Sequence, residues 1–175
     1  MIWESSYWKE PLLDAATWLR RVRFRENTSE RTHVRIEKEI FVGFYSIRKL
    51  LDTFTVSDST KKVKYELEWC PNTKPVDDLN WHRIDELYDL ERWGTETRDI
   101  RFLCNLFVHS FIFVVRGVER LEGIYVASDR TKNKKIYFVP LSHVLAIFRL
   151  VGRDYPSHAT FERDPNTGEL TGSAW

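Results

Sequence analysis

The chain has little that would staple or anchor it. Cys70 and Cys104 are its only cysteines in 175 residues. Two are too few for a disulfide scaffold, and they lie far apart without metal-ligand spacing, so they read as free thiols of a reducing compartment. The histidines, His33, His82, His109, His143 and His158, show no metal-ligand spacing with the cysteines either. No Gly-rich phosphate loop or nucleophile elbow is present. The expectation is a protein without metal or cofactor. Charge of one sign is not in excess: 27 basic residues face 26 acidic ones. That balance excludes a protein that coats nucleic acid over its whole surface, and leaves only local basic patches. Long apolar runs are missing as well. The longest, Phe102 to Val115, is broken by Asn105 and His109 and falls short of the roughly 18–20 residues of a membrane span. The N-terminus, Met-Ile-Trp-Glu-Ser-Ser-Tyr-Trp-Lys-Glu, lacks the apolar segment of a secretory signal. A soluble, cytoplasmic protein with no membrane contact is expected.

What is there is enough for a core. Apolar residues make up 42% and aromatics 14%, which argues against wholesale disorder and for one domain with an appendage. Leu12, Ala15, Ala16, Leu19 and Val22 recur at helical spacing and predict a first helix over Pro11 to Arg25, with Pro11 at its first position. Ile36, Ile40, Phe44, Ile47, Leu51 and Phe54 predict a second over Val34 to Phe54, with Gly43 permitting close packing. Val63, Tyr65, Leu67 and Trp69 alternate with charged residues and predict a half-buried strand. Leu79 to Trp93 reads as a short helix closed by Gly94, with Thr95 or Thr97 capping the next. Glu122 to Ser128 and Lys134 to Val139 flank a polar turn and predict a hairpin over 122–139. Leu141 to Val151 predicts a last helix. Residues 153–175 read as a polar tail, loose or docked on a partner. Trp3, Trp8 and Trp175 are candidates to anchor the chain ends on the body or on a second copy.

The stretch from Arg98 to Val115 organises the rest. It is apolar on nearly every side and predicts a helix in the middle of the core. Arg101, Asn105 and His109 interrupt it at four-residue steps, which places them within a sector of about 80°. An unpaired buried polar group costs roughly 1–3 kcal/mol, so the seam needs an explanation. One is a satisfied polar network that fixes helix register. The other is chemistry: His109 as general acid or base, Asn105 as the group that orients it or holds a phosphate oxygen, and Arg101 as the charge that neutralises a phosphodiester. Arg130, Lys132, Lys134 and Lys135 cluster at the hairpin tip, where they are either a solvated turn or a nucleic-acid contact.

Cys104-Asn105-Leu106-Phe107-Val108-His109 resembles the motif of the HEPN superfamily, in which Arg is followed by Asn, Asp or His, three further residues and then His. Asn105 and His109 match. The family's arginine falls on Cys104, and Arg101, three residues earlier, is the nearest substitute. The resemblance covers this helix and, more loosely, Ile36 to Phe54. It implies a helical bundle, pairing of two copies through the motif helices, and metal-independent RNA cleavage in a defence or toxin–antitoxin setting.

Together these readings lead to a mainly α fold, a helical bundle over residues 1–152 with a small antiparallel β-hairpin element near the C-terminus. The expected function is that of a HEPN-like protein that binds RNA or a cognate protein partner, as a homodimer, with His109, Asn105 and Arg101 as catalytic groups if it cleaves. The alternative is a non-catalytic dimeric assembly module in which the seam is a polar network, and Cys104 in the arginine position favours it.

Overall fold

The strongest helical stripe of the sequence does become a helix. In the computed structural model, which describes residues 2–175, Glu30–Leu51 is helical and buries Ile36, Ile40, Phe44 and Ile47. In chain order it is α2. It follows α1, Ser6–Arg21, which starts five residues before the expected Pro11. Pro11 therefore lies inside the helix and withholds the bond that would return to Tyr7. That loss falls on the solvent side, where both residues are exposed, so water can satisfy the Tyr7 carbonyl. The remaining helices are α3, Asp58–Lys61, α4, Ile84–Leu87, α5, Ile100–Val108, and α6, Leu141–Gly152. Only one turn of the helix expected over Leu79 to Trp93 is present.

The strands are β1, Lys64–Pro71, β2, Gly94–Asp99, β3, Ser110–Arg116, β4, Gly123–Ser128, and β5, Lys135–Pro140. They form one antiparallel sheet in the order β2-β1-β5-β4-β3. The mainly helical bundle is thus overturned: the fold is α+β. The expected hairpin is present, with Ile124 opposite Val139 and Val126 opposite Tyr137. It is the centre of a sheet rather than an appendage.

The organising stretch accounts for most of the difference. Its helix is only α5, and Phe111 to Val115 continue as β3. A run of Phe, Ile, Phe, Val and Val is as apolar as a buried helix, but its β-branched and aromatic side chains suit the pleated surface better. The start of α5 is set by Asp99, whose carboxylate accepts from the Phe102 amide at 2.7 Å, not by Thr95 or Thr97, which lie in β2.

Helices α5 and α6 pack on one face of the sheet, and α1 and α2 pack on those helices. Phe44 is the hub: its ring stacks on Phe107 at 4.3 Å and meets Phe148 edge-on at 5.4 Å. The two long apolar segments are therefore packed neighbours. The other face is covered by the loop between β1 and β2, which contributes Val76, Leu87 and Tyr88 against Ile112, Tyr125 and Ile136.

The segment after Gly152 is a second, two-stranded sheet of β6, Ala159–Arg163, and β7, Leu170–Ala174. Phe161 meets Phe54 edge-on at 4.8 Å, and Ala174 is buried. Buried Lys9 clamps its root: the ammonium donates to the backbone carbonyls of Thr55 and Asp154 and lies 4.1 Å from the Tyr155 ring centroid. Of the terminal tryptophans, Trp8 packs against the core, Trp175 stacks on His158, and Trp3 is fully exposed.

Candidate functional site

The three seam residues lie on the outer side of α5, not in the core. Asn105 and His109 are exposed and Arg101 is partly so. This corrects the buried seam. Helix α5 packs against α2, and Arg48 of α2 together with that helix's C-cap residue, Asp52, meets the seam. Arg101 donates to Asp52 Oδ1 at 2.8 Å, while Arg48 donates to the same carboxylate at 2.9 and 2.7 Å. Arg48 Nε also donates to Asn105 Oδ1 at 3.1 Å. Burial opposes ionisation of Asp52, but the two guanidiniums outweigh it and hold its carboxyl below the usual range. Arg101 is therefore neutralised by a partner in its own chain. Asn105 has its carbonyl oxygen occupied by Arg48, and its amide nitrogen makes no hydrogen bond among the described residues.

Cys104, in the position of the motif arginine, is fully buried. Burial pushes its thiol up to about 12 against the pull of Arg48 and Arg101. It is neither a charge nor a nucleophile. Cys70 is also buried and free, and burial raises its thiol to about 11.

His109 ends α5. Its backbone amide donates to the Asn105 carbonyl at 3.1 Å, and its own carbonyl accepts from the Asp129 amide at 3.3 Å. That second bond joins the end of the motif helix to the tip of the β4–β5 hairpin. Between them opens a cleft of about 530 Å³ lined by Phe102, Asn105, Leu106, His109, Ser128, Asp129, Arg130 and Thr131. The two sets of candidate residues thus meet here, but only in part. Arg130 lines the cleft and makes no salt bridge among the described residues. Lys132 is held by Asp129 at 3.1 Å and sits over the Phe111 ring. Lys135 is held by Glu96 at 2.8 Å and lies over Trp69. Lys134 is exposed on the turn and does not line the cleft. The expected four-cation patch is therefore one cleft cation, one free neighbour and two paired ones.

Glu96 anchors a polar cluster that the periodicity did not disclose. It accepts from Arg98 at 3.0 Å, from Lys135 and from the buried Tyr137 hydroxyl. Burial would raise its carboxyl, but these donors and the Lys135 charge outweigh that and hold it at about 2. The cluster ties β2 to β5 across the intervening β1, and Phe102 packs edge-on against Tyr137 at 5.5 Å. The only warning in the sequence was the charged outward positions of β1 and β2, and nothing in their spacing paired Glu96 with residues of the hairpin.

No family model, no curated protein and no solved structure matches this chain. No helix among the described residues is long and apolar enough to cross a membrane.

Proposed function

We propose that the protein binds RNA, holding a single-stranded segment in the cleft between α5 and the β4–β5 turn, and does not cut it. The observation that carries this reading is the meeting of Arg130 with Asn105 and His109 in one open cleft. An unpaired guanidinium suits a phosphate. The amide of Asn105 and the imidazole of His109 are hydrogen-bonding groups for base edges, and Phe102 and Leu106 are an apolar floor for a ring. The reading keeps the RNA half of the HEPN resemblance and drops the cleavage half. The charge that would stabilise a cleavage transition state has no free source on α5, because Arg101 is bound to Asp52 and Cys104 is buried.

A second reading, a non-catalytic assembly module, has support in the Arg48–Asp52–Arg101–Asn105 network, which ties α2 to α5. One experiment separates the two. Anisotropy of a labelled, mixed-sequence single-stranded RNA reads binding, and a denaturing gel of the same metal-free sample reads cleavage. Expected are salt-sensitive binding and intact RNA. His109→Ala should weaken binding several-fold while leaving the melting temperature alone, because the ring is exposed. Absence of binding by the parent favours the assembly module, and loss of a cleavage activity with His109 restores the enzyme.

A further inference from the structure

The two edges of the five-stranded sheet are built differently. On the β2 edge, Glu96, Arg98 and Asp99 place charge along the strand, which discourages a further strand. The β3 edge reads Ser110-Phe-Ile-Phe-Val-Val-Arg116, without charge or proline before its last residue. Strand β3 pairs only with β4, and its outer backbone groups have no partner among the described residues. Beside its first residue opens an apolar groove of about 380 Å³ lined by Phe41, Val42, Tyr45, Phe107, Val108 and Ser110. Val42 is 53% exposed and Tyr45 46%. An uncharged open edge that runs into an exposed apolar groove is a template for strand addition.

We propose that a second copy of this chain occupies this edge, its β3 pairing antiparallel with the first so that two five-stranded sheets become one. Charge selects both partner and direction. In an antiparallel pair centred on Phe113, Ser110 faces Arg116, Phe111 faces Val115 and Ile112 faces Val114, so apolar meets apolar and each Arg116 meets a serine. A parallel pair would set the two arginines side by side. A charged foreign strand would find no counter-charge along Phe111 to Val115. Seven residues span about 24 Å of strand. A stable dimer buries about 800 Å² per partner, so the exposed Val42, Tyr45 and Val108 of each copy must join the strand edge in the seam. The arrangement differs from pairing through the motif helices, and it does not rest on the RNA reading.

Light scattering behind size exclusion of the full chain, from low to tens-of-micromolar concentration, tests it. Twice the chain mass is expected at the upper end. The double variant Val42→Glu, Tyr45→Glu changes only exposed positions of α2, and should be monomeric with a parent-like circular dichroism spectrum. Hydrogen exchange then locates the seam: the amides of residues 111–115 should slow as concentration rises. A parent that stays monomeric, or a dimer whose 111–115 amides exchange equally fast at every concentration, overturns the proposal.

Discussion

Arg101 of α5 and Asp52 at the end of α2 are 2.8 Å apart, and Arg48 closes on the same carboxylate from the other side. One acidic residue therefore masks two of the cations nearest the candidate cleft. The three side chains are between a third and a half exposed, so solvent screens the pairs and they contribute only about 0–1 kcal/mol to stability. Asp52→Asn should melt close to the parent and bind RNA more tightly, with a steeper dependence on salt, because two guanidiniums are released to meet phosphate. Anisotropy titrations at several salt concentrations measure both.

Glu96 makes stability depend on acid. Its folded carboxyl titrates at about 2, below its ordinary value of 4.5. The unfolded chain thus binds a proton first as pH falls. The stabilisation is fully present above pH 4.5 and is lost as pH falls from there towards 2, about 3 kcal/mol in all. Urea unfolding of the parent across that range should show the loss. Glu96→Gln, which has no charge to lose, should begin less stable at neutral pH and lose less.

Gly43 is where α2 meets α6. A Cβ at this position would lie 2.2 Å from the tip of the Phe148 ring. Phe148 is fully buried and packed against Phe44, so the ring cannot swing aside. Gly43→Ala should therefore cost about 1–3 kcal/mol from overpacking, in spite of the roughly 1 kcal/mol that alanine gains in a helix. Adding Phe148→Leu should recover part of the loss, and the coupling is read from a double-mutant cycle.

Lys9 ties the first helix to the root of the C-terminal segment. Lys9→Met would keep the bulk and strand the carbonyls of Thr55 and Asp154, at about 2–4 kcal/mol for the pair. Asp154 also accepts from the Ser57 amide and hydroxyl at 2.9 Å. A chain cut after Ser157 keeps these contacts and should melt near the parent. A chain cut after Gly152 loses them and should melt well below it. Thermal melts of the three proteins decide this.

Much of the helical half of the fold was legible because each helix carries its own period. Ile36, Ile40, Phe44 and Ile47 mark α2 without outside help, and Val144, Leu145, Phe148 and Val151 mark α6. The hairpin was legible from its alternation and polar turn. Phe111 to Val115 were not, because an apolar run without period looks the same in a buried helix and in a sheet. Strand β2 was not either: Thr95, Glu96, Thr97 and Arg98 have no apolar side, and they are a strand only because β1 lies beside them. In the site, His109, Asn105 and Arg130 were visible as residue types. Their meeting depends on the bond between the His109 carbonyl and the Asp129 amide, and the masking of Arg101 depends on Asp52. Neither contact leaves a mark at fixed spacing.

The cleft itself is tested most directly by comparing Arg130→Ala with Lys135→Ala. Both remove one positive charge from the same hairpin, but only Arg130 lines the cleft, while Lys135 is held by Glu96. The salt dependence of single-stranded RNA affinity separates a specific contact from general attraction, since each lost phosphate contact reduces the log–log slope by about 0.7. Arg130→Ala should bind roughly tenfold more weakly with that smaller slope, equivalent to about 1.4 kcal/mol, and Lys135→Ala should leave the slope unchanged. Equal effects of the two substitutions, or a slope that Arg130→Ala does not alter, would contradict the account.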